Sequence, residues 1–176
     1  YIEETGAAQT LRDVRITTIY EGTTGIQSND LIGRKVGRDR GAAMFALLDD
    51  MTRELEALPA TAAASATTAA LTGVADLRAS TESLLQSLGS APDRAMAVSV
   101  PYLRLCGIVI GGWLLAKSAA IAAERIAGQT TDSEFFSAKL RSAHFYAEQI
   151  MPMAGALARI VQSGAASVVE TDAAHI

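Results

Sequence analysis

The chain has 176 residues, of which 49% are hydrophobic and 19% charged. That excludes the intrinsically disordered class and leaves room for one domain of ordinary size with a short appendage. Fifteen Lys and Arg against 19 Asp and Glu give a formal charge of −4, which argues against a nucleic-acid binder. One cysteine, Cys106, excludes an internal disulfide or a cysteine metal cluster, and two histidines, His144 and His175, argue against a histidine-rich metal site.

The start, Tyr1-Ile2-Glu3-Glu4, is acidic and lacks an initiator Met, so we expect no signal peptide and a chain that is a piece of something longer. The most apolar run, Leu105 to Ala116, is twelve residues with three glycines, too short to span a bilayer. A buried helix in a soluble, cytoplasmic protein is the expectation.

In chain order, an amphipathic helix is predicted over about Ala7 to Ile19, with Leu11, Val14 and Ile19 as its apolar marks. The run Tyr20 to Gly25 breaks it. Thr24 and Gln27 have capping-box spacing and predict a helix from about Gly25 to Val36. Beyond Gly41 the pattern lengthens. Met44, Leu48, Met51, Leu55 and Leu58 are spaced 4-3-4-3, a bundle seam, and Pro59 ends that helix. The next helix is predicted over about Thr61 to Leu88, with Leu71, Val74, Leu77, Leu84 and Leu88 inward. Its first turns hold only Ala, Thr and Ser, a thin face that permits close packing.

A third long helix is predicted over about Pro92 to Ala127, with Pro101 as a kink or boundary. Gly107, Gly111 and Gly112 lower its propensity by about 1 kcal/mol each and suit a close backbone approach. Thr131 and Glu134 read as a second capping box. The last long helix then carries Phe136, Leu140, Ala143, Ala147, Ile150, Ala154, Leu157 and Val161 in the same 4-3 rhythm, with Pro152 as a kink. The tail, Thr171 to Ile176, is expected to fray. The reading is all-α: an up-down-up-down four-helix bundle over residues 39–170, preceded by a helical segment, 1–38, of different character.

That first segment carries the chemistry. Glu21 lies between Tyr20 and Gly22, just upstream of a predicted helix N-terminus, where unpaired N–H groups suit an anion or a developing oxyanion. From the residues alone, a solvated turn with a capping Thr is the plainer reading. The longer string weighs against it. Arg12-Asp13-Val14-Arg15-Ile16, followed by Ile19-Tyr20-Glu21-Gly22-Thr23-Thr24-Gly25-Ile26-Gln27, resembles the C-terminal signature of acyl-CoA dehydrogenases. That pattern is R-D-x-[KR]-I, then I-Y-E-G-T-x-x-I-Q opening a helix. Residues 41–169 are similar to the extra helical domain of the longer family members, which include methylthiopropanoyl-CoA dehydrogenase.

The resemblance implies that Glu21 is the catalytic base, removing the α-proton of an acyl-CoA thioester, while a hydride from the β-carbon passes to FAD. It implies that Gly22 leaves room for the thioester, and that Thr23, Gly25 and Gln27 lie by the flavin. Gly25 stands where many members carry Gln or Glu and brings no side chain there. It also implies an electron-transfer flavoprotein as redox partner, a homo-oligomeric parent, and a fragment that is inactive alone and does not retain FAD. Arg12, Asp13 and Arg15 read as a structural ion-pair cluster. His144 reads as a partly buried structural residue, Tyr102 and Trp113 as core or interface anchors, Met151 and Met153 as core filling, and Cys106 as an inert buried thiol. The rival reading is a non-catalytic helical scaffold or oligomerisation module, to which residues 41–169 alone are equally suited.

Overall fold

Helix boundaries in this chain follow from residues that cannot continue the backbone ladder. The computed structural model describes residues 3–19, 23–59, 63–172 and 174, and among these it is helical with no strand. A short 3-10 turn, Glu3–Thr5, leads into α1, Ala7–Ile19. Helix α2, Thr24–Asp30, passes without a break into a π turn, Leu31–Val36. Asp39 then caps α3, Ala42–Glu56, accepting hydrogen bonds from the N–H groups of Gly41 at 3.0 Å and Ala43 at 2.9 Å. Pro59 lies just past its end, as the sequence requires.

Helix α4, Ala64–Ser90, and α6, Ser99–Ala127, are the long central rods. α4 packs against α3, α6 and α8; α6 packs against α2, α4, α7 and α8. The thin face of α4 is used as expected, with Ala63, Ala66 and Ala70 buried. The seam residues Leu48, Met51 and Leu55 of α3 join Val74, Leu77 and Leu84 of α4 and Tyr102, Leu105 and Val109 of α6 in one core. Full burial of a side chain of this size is worth about 1.5–3 kcal/mol. α6 is long and apolar enough to cross a membrane by length and composition, well beyond the twelve-residue run read from sequence. In the fold its inward residues are enclosed by the neighbouring helices.

Both internal prolines act, each in its own way. Pro101 has no N–H and its ring conflicts with the carbonyl of Ala97, so the predicted single helix splits into α5, Pro92–Ala97, and α6, with Val98 between them. Pro152 stands in the same relation to Glu148. There the helix widens instead: α7, Ser133–Phe145, runs through a π turn, Tyr146–Ile150, into α8, Pro152–Ser163, and Met151 donates its N–H to the Tyr146 carbonyl five residues back. The short α9, Ala166–Val169, is followed by Glu170, which pairs with Arg94 beside α5. Thr171 bonds through its hydroxyl to the Ser167 carbonyl, while the rest of the frayed-tail expectation falls largely on residues 173, 175 and 176, outside the described residues.

The second capping box is corrected. Helix α7 starts at Ser133 with Asp132 at its cap position, so Glu134 falls one place short of the box register; Thr130 takes the Asp132 N–H at 3.2 Å instead. Met153 is corrected too: it is 51% exposed, whereas Met151 is buried.

Cys106 and Tyr102 lie one turn apart inside the core. Thr81 donates its hydroxyl to the Leu77 carbonyl at 2.8 Å, so Tyr102 donates to Thr81 at 2.9 Å. Burial pushes the Cys106 thiol up to about 12 and the Tyr102 phenol higher than its ordinary value. The unfolded thiol ionises at about 8.5, so above that pH the unfolded chain loses a proton the folded chain keeps. Stability should therefore fall as pH rises, by up to about 1.4 kcal/mol per pH unit. Urea unfolding at pH 8 and pH 9.5 should show this loss in the wild type and a smaller one in Cys106→Ala. In the folded chain at pH 8, iodoacetamide should leave Cys106 unmodified.

Candidate functional site

The start of α2 is built by one residue in an unusual conformation. Thr23 has φ +47° and ψ 122°, and its side-chain oxygen accepts the Ile26 N–H at 3.3 Å. This is an N-cap, but one residue earlier than the Thr24/Gln27 box predicted: with Thr23 as cap, Ile26 holds the third helical position and Gln27 the fourth. A positive φ at a β-branched residue is strained, on the order of 1–3 kcal/mol, and such strain clusters at functional sites.

The proposed base, Glu21, with its neighbours Tyr20 and Gly22, lies outside the described residues. Of the other sequence-predicted site residues, Thr23, Gly25 and Gln27 are brought together on the first turn of α2, all exposed. A Cβ added at Gly25 would meet nothing within 4 Å. The described residues therefore present an open helix end rather than a cradle. They do not by themselves fit a group the size of a flavin dinucleotide, since one wall of such a site is all they could form.

The other end of α2 is anchored. Ser28 is fully buried; its hydroxyl donates to the Gly25 carbonyl at 2.8 Å and accepts from the hydroxyl of Ser99, on the first turn of α6, at 3.1 Å. Ile32 and Val36 belong to the same core as α3, α4 and α6. No sequence pattern points to the Ser28–Ser99 pair, since two serines far apart in the chain carry no periodicity. By contrast α1 packs chiefly on the 3-10 turn before it, leaving Leu11, Val14 and Ile16 exposed. On α1, Arg12 donates to Gln9 at 3.3 Å and Gln9 donates to Asp13 at 2.8 Å, so a glutamine links residues read as an ion-pair cluster.

A polar group that sequence reasoning missed joins α3 to α6. Glu54 accepts from Lys117 at 2.6 Å and from the Trp113 indole at 3.1 Å, and the Lys117 ammonium lies 4.7 Å from the Trp113 ring centroid. The Lys117 ammonium holds the Glu54 carboxyl below its usual range. Trp113 and Lys117 are four apart on one helical face, the available signal. Tyr102 is fully buried as expected, and His144 is half-buried. Among the described residues, no cluster of three or more His, Cys, Asp or Glu could hold a metal ion.

Residues 39–172 match the family described as "Acetyl-CoA dehydrogenase C-terminal like", and the chain belongs to it. Over 154 residues it is 46% identical to 3-methylmercaptopropionyl-CoA dehydrogenase of Ruegeria pomeroyi, covering 86% of this chain and 26% of that protein. Over 183 residues it is 28% identical to the broad-specificity linear acyl-CoA dehydrogenase FadE5 of Mycobacterium tuberculosis, covering 99% of this chain and 30% of that protein. The chain thus spans between a quarter and a third of the length of the curated relatives it matches.

The two functions of Thr23 are separable. Thr23→Gly removes the strain and costs the cap only a few tenths of a kcal/mol, whereas Thr23→Ala keeps the strain and loses about 0.5–2 kcal/mol of capping. Amide hydrogen exchange over Ile26–Asp30 should accelerate in Thr23→Ala and stay near wild type, or slow, in Thr23→Gly.

Proposed function

We propose that this chain works as the C-terminal part of a flavin-dependent acyl-CoA dehydrogenase that desaturates an acyl-CoA thioester between its α and β carbons. Glu21 is the base that takes the α-proton, with Gly22 leaving room for the thioester and Thr23, Gly25 and Gln27 on the flavin side. The observation that carries this reading is the Tyr20-Glu21-Gly22-Thr23 string directly ahead of a capped helix whose far end is seated in the bundle core, in a chain 46% identical to an acyl-CoA dehydrogenase.

The chemistry asks for such a placement. An α-proton beside a thioester is weakly acidic, so its base works best desolvated and with a raised pKa, opposite a polarised carbonyl. In the sequence the base stands two residues before Thr23, the strained cap of α2. Residues 1–38 complete the catalytic helical domain. Residues 39–170 form the additional up-down-up-down bundle, a scaffold and oligomer element of a homo-oligomeric, cytoplasmic parent that passes electrons to an electron-transfer flavoprotein. The exposed apolar marks of α1 are where the rest of the parent covers this piece.

In the full-length parent, Glu21→Gln should lower turnover by at least about 10²–10⁴-fold while FAD stays bound, read by steady-state kinetics and the flavin spectrum. Turnover near wild type would remove Glu21 from the role of base. The 176-residue chain expressed alone should elute colourless from gel filtration in the presence of FAD, because an open helix end offers no enclosed pocket; a stoichiometric flavin spectrum would contradict this.

A further inference from the structure

A groove away from the Glu21 segment has its own chemistry. It lies between the π turn Leu31–Val36 and the first turns of α3, encloses about 190 Å³, and is lined by Leu31, Lys35, Val36, Ala43, Met44 and Leu47. Five of the six are apolar, and Lys35 is the charged one. The two walls are consecutive in the chain and joined by residues 37–41.

Positive charge collects in the residues that line and follow this groove. Lys35, Arg38 and Arg40 are exposed and have no ion-pair partner among the described residues. The acidic residue among them, Asp39, has one carboxylate oxygen on the Gly41 N–H and the other on the Ala43 N–H. Arg34 is already paired with Asp30 at 2.9 Å. In a chain of net charge −4, three unpaired cations within six residues, beside an apolar slot, are out of keeping with a merely solvated surface. The wall that carries Lys35 is also a π turn, in which Gly37 donates to the Ile32 carbonyl five residues back at 2.7 Å; such turns are frequent at functional sites.

We propose that this groove binds a single alkyl chain bearing an anionic head, a carboxylate or phosphate ester, with the chain along Leu31, Met44 and Leu47 and the head on Lys35, Arg38 and Arg40. The apolar walls supply burial and the cations supply charge-assisted hydrogen bonds that a neutral head cannot accept as strongly. The ligand is a monomer, its single chain matched to a groove of about 190 Å³ that Lys35 itself lines. The site does not depend on Glu21 or on flavin.

The test is calorimetric titration of the 176-residue chain with decyl phosphate below its critical micelle concentration. We expect saturable binding with a stoichiometry near one, weakened at least tenfold for decanol and at least tenfold by a Lys35→Glu/Arg38→Glu double substitution at exposed positions. Leu47→Trp, at a half-exposed position, should fill the slot and abolish binding with the helical circular dichroism unchanged. Equal affinity for decanol, or full affinity in a folded Leu47→Trp chain, would overturn the proposal. So would binding to phosphatidylglycerol vesicles with none to monomeric decyl phosphate, which would make this face a membrane-contacting surface.

Discussion

One methionine fills the space between two glycines on facing helices, and the bundle's packing there depends on it. A Cβ added at Gly73 of α4 or at Gly112 of α6 would fall within 3.0 Å of the Met151 side chain, which is where the π turn of the last long helix delivers it. One residue away, a Cβ at Gly111 would collide with the Tyr146 hydroxyl, which donates to the Ile108 carbonyl at 3.1 Å. Three helices therefore meet where two of them have no side chain. Each glycine costs its helix about 1 kcal/mol relative to alanine, and the contacts of a buried methionine offset that cost. The arrangement also needs the widened turn. Without the register change ahead of Pro152, Met151 would not face the space the glycines leave.

This explains which parts of the fold could be read from sequence. The 4-3 rhythms of α3, α4 and the last helices were legible because each side chain reports a face at a fixed angular step, and Leu48, Met51, Leu55, Leu77 and Leu84 are buried accordingly. The close backbone approach expected at Gly107, Gly111 and Gly112 is corrected: the side chains of Tyr146 and Met151, far along the chain, come close at Gly111 and Gly112, and a Cβ at Gly107 would meet nothing within 4 Å. The prolines fixed where regularity fails but not how. Pro101 sits three residues into its helix, so a clean break costs one turn; Pro152 has seam residues on both sides, so a widened turn keeps Ala147 and Ala154 facing inward. Both capping boxes were misplaced by one residue, because the caps in the structure, Thr23 and Asp132, have no Glu or Gln three residues on, and the strained φ of Thr23, like the Thr130 turn, has no signature in spacing.

The candidate site was legible in a different way. Nothing in the periodicity marks Glu21, and the string around it carries meaning through family resemblance alone; at 46% identity to a relative over most of the chain, the family itself is secure. What no residue pattern indicated is how that string is connected to the rest. α2 is amphipathic over little more than its second half, so sequence reading left it as an appendage, whereas its buried half contributes Ile32 and Val36 to the bundle core.

That connection constrains where the start of α2 can lie. α2 and the π turn that continues it run as one rod from Thr24 to Val36, about 13 residues and so roughly 20 Å long. One end is fixed by Ile32, Val36 and the Ser28–Ser99 hydrogen bond, and the other leads directly to Thr23 and the segment holding Glu21. A helix with one end seated in a close-packed core transmits any rotation or shift of that core to its free end. Ser99 lies between the α5–α6 break and Pro101, at the position where α6 is least able to adjust, because the proline fixes the backbone two residues on. A bundle joined in this way does more than enlarge the protein: it fixes the height and direction of α2, and the strained residue Thr23 stands at the free end of that helix.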